Sequence, residues 1–308
     1  MSTSYFVHER GSRIAIFIYS LQTGVFLGVP IATQIIQKSS LAWASGAMAI
    51  AEGICLIVLF LFFEETAYRR AHVDVLAHRQ APPETPTEVE KPSSGHTERV
   101  ATPTTNDDMR RLPYLKRLSL YQGRLSNQSP LVLTYRVLAL IFHPTILWAA
   151  VTGLPASWLV GLSYTINALL APPPWNFSNI AIGNMYIAGW IGCTFGMILA
   201  FPNDWLAKLA AKRNGSVYEP EFRLFMVAPA AICCVLGFAL WGWGGSNGVS
   251  WPAMAVFFVI AAAGAVWINA ALISYLIDAH RQFAIESQII LFAFKNLMPF
   301  GVGYFFVP

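Results

Sequence analysis

Trp251–Asp278 reads WPAMAVFFVIAAAGAVWINAALISYLID and carries no charge before its last residue. A helix of about 20 apolar residues crosses a hydrocarbon core about 30 Å thick, so this run, near 250–278, is a membrane span with residues to spare. The rest of the chain agrees with it. Of the 308 residues, 56% are hydrophobic and 12% charged, and the mean hydropathy is +0.52. Soluble domains carry about a quarter charged residues, so the composition excludes a soluble enzyme. Many of the ten Trp sit where apolar runs meet polar loops, as amphipathic rings do at headgroup level.

Further apolar runs lie near 13–37, 41–64, 138–170, 182–204, 222–244 and 285–307, giving seven expected spans and an all-α polytopic membrane fold. The run 138–170 exceeds the minimum length, and Pro155 within it predicts a kink. The polar lead with His8, Glu9, Arg10 and Arg13 has no cleavage site after it, so the first span is expected to be retained. Net charge is +4, but the cations cluster in a few loops without aromatic interleaving, which disfavours a nucleic-acid partner. Eighteen of the twenty Lys and Arg fall in alternate loops, which hold Arg10, Arg13, the stretch 69–136, Lys208 to Arg223, and Arg281. The opposite loops hold Lys38, and Lys295 lies inside the last run. Retained cations mark the cytoplasmic side, so a cytoplasmic N-terminus and an external C-terminus are expected.

Residues 66–136 include Ala81-Pro82-Pro83-Glu84-Thr85-Pro86 and a Ser/Thr/Pro/Glu-rich run to Thr105. This composition cannot bury enough apolar surface to offset ordering entropy and predicts a disordered cytoplasmic linker. Its last part, Arg110 to Arg124 with interspersed Leu, reads equally as a basic interfacial helix or a solvated tether. The division is 1–65 with two spans, 66–136 as linker, and 137–308 with five spans. Seven spans also suggest a receptor or rhodopsin, with Lys295 as an imine site. The cytoplasmic N-terminus opposes that, and the third span has no carboxylate to serve as counter-ion.

Several motifs occur in order along the chain. They are His8-Glu9-Arg10-Gly11-Ser12-Arg13 followed by Gly24, Gly28 and Pro30; Phe62-Phe63-Glu64-Glu65-Thr66 with Tyr68 and Arg69; Asp204 and Lys208, then Lys212-Arg213-Asn214-Gly215, then Tyr218-Glu219-Pro220-Glu221-Phe222-Arg223-Leu224; and Tyr275, Asp278, Ala284, Glu286, Lys295-Asn296, Phe300-Gly301 and Tyr304. The set resembles the fungal drug and metabolite exporters of the major facilitator superfamily, corresponding to helices five to eleven of a twelve-helix member. Val29 before Pro30 and Ala32-Thr33 after it depart from that branch's antiporter signature. The resemblance implies a partial facilitator fold and proton-coupled efflux of small hydrophobic molecules, such as fungal secondary metabolites or toxicants, across the plasma membrane by alternating access. No enzymatic activity and no cofactor are implied, with the proton as candidate coupling ion. With four helices before and one after unmatched, a second expectation stays open: a truncated, transport-inactive fragment or mis-predicted gene model. Such a chain would act at most as a homo-oligomer or with another transporter chain.

Candidate residues follow from cost: ionisable groups inside spans are expensive and mark pathways or structural pairs. Glu52 and Lys295 are mid-span. Alternation of Glu52 between neutral and charged forms would serve proton coupling, and the two residues could also pair with each other. Tyr164, Asn167, Asn184, Trp190, Asn269, Tyr275 and Asn296 are polar groups on apolar walls, as in a pocket for amphipathic compounds. Ordinary interhelical hydrogen bonding explains any one of them equally. Gly24, Gly28 and Pro30 would let the first span bend and approach a neighbour closely. Asp204, Lys212, Arg213, Glu219, Glu221, Arg223, Asp278 and Glu286 are expected to form ion pairs that close the cytoplasmic side in one conformer. Gly242, Gly244, Gly245 and Gly248 read as an external turn. Cys55, Cys193, Cys233 and Cys234 all lie in apolar runs without metal-ligand spacing, and no metal site is expected. The Asn176-Phe177-Ser178 sequon is held near the bilayer by Pro172 to Pro174 and Trp175, which argues against its glycosylation.

Overall fold

The computed structural model describes residues 10–62 and 129–306. The expectations for 66–128, the disordered linker and the basic helix, lie outside the described residues, as do His8, Glu9 and the motif from Phe63 to Arg69. Helices follow the apolar runs: α1 Arg10–Lys38, α2 Leu41–Phe62, α3 Pro130–Leu140, α4 Pro144–Thr152, α5 Leu154–Leu170, α6 Asn179–Ala200, α7 Pro202–Arg213, α8 Val227–Asn247, α9 Trp251–Ala279 and α10 Ala284–Phe306. Short 3-10 helices, Pro220–Met226 and Arg281–Phe283, lead into α8 and α10. No strand occurs among the described residues. This is the all-α polytopic fold that lipid favours, because a helix satisfies its own backbone there.

Six stretches among the described residues are long and apolar enough to cross a membrane: Ser12–Lys38, Leu41–Phe62, Pro144–Leu170, Asn179–Arg213, Pro220–Asn247 and Trp251–Ala279. The seventh expected span forms as α10 but is not among the six. Its first turns carry Glu286, Ser287 and Gln288, and its middle Lys295 and Asn296. The third span is broken as Pro155 predicts. Gly153 separates α4 from α5, and Pro155 sits in the first turn of α5, where its missing N–H costs nothing. His143 caps α4 with Pro144 following. Residues 130–136, which composition assigns to the end of the linker, begin α3.

The chain divides into two compact units, Met1–Gly46 with Gln128–Pro308, and Ala47–Asn127. In the second, the described residues are the main part of α2, where Ala47 is half-buried and 48–62 are exposed. In the first unit α9 is the central helix. Buried over 72% of its apolar window, it packs against α8, α6, α1 and α5. Small residues permit this closeness. A Cβ on Gly264 would strike the backbone of Cys234, and one on Gly237 the backbone of Ala261, so α8 and α9 touch main chain to main chain. Gly192 and Gly196 of α6 lie equally tight against Val259 and Ala263 of α9.

The glycines expected to make the close approach do not make it. A Cβ on Gly24 or Gly28 would meet nothing within 4 Å, because α1 presents Phe26 and Thr33 to α6 instead. The gaps are on the partner helix, where Gly189 receives Phe26 and Gly183 receives Thr33. Phe26 then stands edge-on to Phe258 at 5.7 Å between ring centroids. The expected external turn at Gly242, Gly244 and Gly245 is also corrected: all three belong to α8. Gly244 lies under Met254 and Phe257, and Gly245 under Leu169. The turn itself is Gly248, in the left-handed region at φ 60°.

Candidate functional site

The buried ionic centre of the first unit is built on Arg223, whose side chain is 1% exposed. A guanidinium cannot lose its charge, so such burial requires acids around it. Pro220 starts the short 3-10 helix that carries Arg223, and two carboxylates converge on it from other elements. Arg223 Nη1 donates to Asp204 Oδ1 of α7 at 2.9 Å. Arg223 Nε donates to Asp278 Oδ2 at the end of α9 at 2.6 Å. The Tyr218 hydroxyl completes the arrangement, donating to Asp278 Oδ2 at 2.7 Å and accepting from Arg223 Nε at 3.0 Å. Burial above all, helped by Asp278 and opposed by the Arg223 charge, pushes the Tyr218 phenol up to about 12, so it remains a donor at neutral pH.

The second oxygen of Asp204 belongs to α1. Ser12 donates to Oδ2 from its backbone N and from its Oγ, both at 2.8 Å. These are charge-assisted bonds at a helix start, where N–H groups lack intrahelical partners. The cluster therefore ties four elements, α1, α7, the 3-10 helix and α9, at one end of the fold. Of the residues expected to pair, the structure brings together Asp204, Arg223 and Asp278. Glu219 instead accepts from Asn214 Nδ2 at 3.1 Å, closing the turn where Gly215 and Ser216 adopt φ of 62° and 66°. Glu221 is exposed in the first 3-10 turn, and Lys212 and Arg213 are exposed at the end of α7. Glu286 meets Arg136 of α3 at 3.6 Å. Tyr218 and Ser12 stand inside the quoted motifs yet are not among the expected site residues, since a neutral hydroxyl gives no signal of its own in a sequence.

A second polar cluster, which the sequence does not announce, lies beside this centre. Thr145 Oγ1 is 2.9 Å from His143 Nδ1 and 2.7 Å from His280 Nε2, and the two imidazoles meet edge to face at 4.8 Å. Burial first, and then His143, hold the His280 pKa below its ordinary 6.5. A depressed histidine resists protonation in the fold but not in the unfolded chain. Its stabilising effect is therefore present above the unfolded pKa of about 6.5 and is lost as pH falls through the folded value. Thermal unfolding in detergent is expected to show a midpoint that drops on acidification below about pH 6.5. In His280→Gln that part of the drop should vanish; an identical pH profile would refute the assignment.

The pathway candidates are dispersed. Glu52 is exposed on α2 in the second unit. Tyr164 and Asn167 are exposed on α5, and Asn296 on α10. Lys295 is half-buried, with Nζ 5.9 Å from the Phe292 ring centroid. Asn184 lines a cavity of about 630 Å³ with Pro30, Gln34 and Lys38. Asn269 is buried and donates to Ala265 O of its own helix at 2.7 Å. Tyr275 is buried edge-on to Trp148. The Trp190 indole N–H is buried without a hydrogen-bond partner among the described residues. Among the described residues no group of three His, Cys, Asp or Glu is placed to hold a metal ion.

The family model of the Major Facilitator Superfamily matches residues 1–292. The chain belongs to this superfamily. It is a family of membrane transporters rather than enzymes, and the chain is a multi-pass membrane protein. Among the relatives of this superfamily member are fungal proteins. An MFS-type transporter of Schizosaccharomyces pombe is 24% identical over 99% of this chain and 57% of the relative. Protein HOL1 of Saccharomyces cerevisiae is 23% identical over 94% of this chain and 58% of its own length. Efflux pump vrtL of Penicillium aethiopicum is 24% identical over 48% of this chain and 30% of its own. The chain thus spans a little over half the length of the first two. No solved structure matches it.

Proposed function

We propose that this chain serves a proton-coupled exporter of small hydrophobic molecules that works by alternating access in the plasma membrane, with its N-terminus cytoplasmic. The observation that carries this reading is the buried Arg223 between Asp204 and Asp278. A charge cluster that joins α1, α7 and α9 at the cation-rich end is a latch: formed, it holds that end closed, and opened, it lets the helices part. Discrete ion pairs suit such a two-state element because they are either made or broken. The latch lies on the side that the loop cations assign to the cytoplasm. Export is favoured by the similarity to an efflux pump, and a hydrophobic substrate by the apolar helix faces on which only single polar groups such as Tyr164, Asn167 and Asn296 stand. Glu52 is the candidate proton carrier, and Lys295 the candidate for attracting a substrate that carries a negative charge.

Cells expressing the 308-residue chain, loaded with a fluorescent amphipathic dye, test this. Energy-dependent dye loss is expected, abolished by an uncoupler and reduced to the level of cells lacking the chain by Glu52→Gln or Lys295→Ala. Dye retention equal to that of control cells, with the chain shown to be inserted in the membrane, would overturn the reading.

A further inference from the structure

Against α7 lies a cavity of about 530 Å³ whose lining includes Lys208, Lys212, Arg281, Tyr218, Asp204 and Trp205. Its charge is unbalanced. Asp204 is turned to Arg223 and Ser12, and Arg223 is taken up by Asp204 and Asp278. Among the described residues, Lys208, Lys212 and Arg281 have no acid within salt-bridge distance, while Asp204, the one acid on the lining, is taken up by Arg223 and Ser12. Lys208 and Lys212 are four residues apart and project from one face of α7, where like charges repel. The Ser216 hydroxyl also lines the cavity and makes no hydrogen bond among the described residues. The walls between these groups are apolar, from Ala207, Leu209 and Ala211. Trp205 on the lining is 62% exposed, as an indole at headgroup depth would be.

We propose that this cavity binds a phosphate-bearing anion, supplied by an anionic phospholipid headgroup or by phosphate free in solution. Three cations and a serine hydroxyl on one lining match the charge and acceptor count of a phosphate, and the volume is that of a small-ligand site. A basic pocket opening beside membrane-spanning helices collects anionic headgroups by the same attraction that draws cationic segments to a negative leaflet. The apolar wall and Trp205 would then lie along the glycerol and upper acyl region. The cavity adjoins the latch, since Asp204, Tyr218 and Arg223 also line it, but the cations left to face the anion, Lys208, Lys212 and Arg281, are not those paired in the latch.

The full chain, purified and placed in phosphatidylcholine nanodiscs with or without phosphatidylserine, tests this when the lipids it retains on release are counted by native mass spectrometry. Preferential retention of phosphatidylserine is expected, weakened about thirtyfold by Lys208→Gln with Lys212→Gln and unchanged by Lys38→Gln at the other end of the fold. Both lysines are exposed, so the variant is expected to fold, and its unfolding midpoint checks that. In a second arm, lipid-depleted protein in detergent is titrated with inorganic phosphate. A rise in unfolding midpoint that the double variant lacks, without lipid preference, identifies free phosphate as the source and supports the site. Absence of both effects, or an equal loss in Lys38→Gln, overturns it.

Discussion

Arg223→Met is expected to destabilise the protein by about 3–5 kcal/mol, the usual effect of removing one partner from a buried ion pair. The effect is large because Asp204 and Asp278 would remain in place without the guanidinium that neutralises both. Among the described residues, Tyr218 and Ser12 would go on donating to the two carboxylates. The unfolding midpoint in detergent should fall sharply, and protease sensitivity of the turn between α7 and the 3-10 helix should rise with it. Arg223→Lys should recover only part of the loss, since an ammonium supplies a charge but not a fork reaching two acids at 2.9 and 2.6 Å. The decisive variant adds Asp204→Asn and Asp278→Asn to Arg223→Met. With no charge left buried, much of the stability should return. If the triple variant is no better than Arg223→Met alone, the cost is one of packing rather than of charge.

Gly264→Ala is the second large effect. The added methyl would meet the backbone of Cys234, which cannot rotate aside as a side chain can, so α8 must move off α9. Overpacking typically costs about 1–3 kcal/mol, and contact with main chain places this case at or above the upper end. Gly237→Ala repeats the clash from the other helix, against Ala261, and the double substitution should prevent the α8–α9 contact. Gly24→Ala and Gly28→Ala are expected to do the opposite. Both sites are open and helical, so replacing glycine should raise stability by about 0.5–1 kcal/mol. Unfolding midpoints of the four single variants measured side by side would check the contrast. A loss at Gly24 or Gly28 as large as at Gly264 would show that α1 has a partner surface there.

The two experiments separate what can be read along the chain from what cannot. Apolar run length locates the helices within a few residues, and Pro155 marks the break between α4 and α5 near Gly153. The last run likewise forms a helix, Ala284–Phe306, over the residues expected of it. Asp204, Arg223 and Asp278 are recognisable as charges of one region, but so are Lys212, Arg213, Glu219 and Glu221, which lie exposed in the structure. Nothing in a loop's composition tells which cation faces inward. The His143, Thr145 and His280 cluster gives no signal at all, since His280 stands 135 residues from Thr145 along the chain.

The all-helical, multi-pass membrane character of the chain is written in its sequence alone. Each helix satisfies its own backbone, so an apolar run of sufficient length specifies a span without reference to any other part of the protein. Pairing, by contrast, is settled only when the helices pack. Arg223 meets Asp204 nineteen residues away, Asp278 fifty-five residues away, and through Asp204 it reaches Ser12, a further 192 residues from that acid. The glycines that matter are likewise those of α6, α8 and α9 rather than Gly24 and Gly28. In both cases the free energy lies in contacts between helices, where burial and approach distance set which charge is neutralised and which missing Cβ is used.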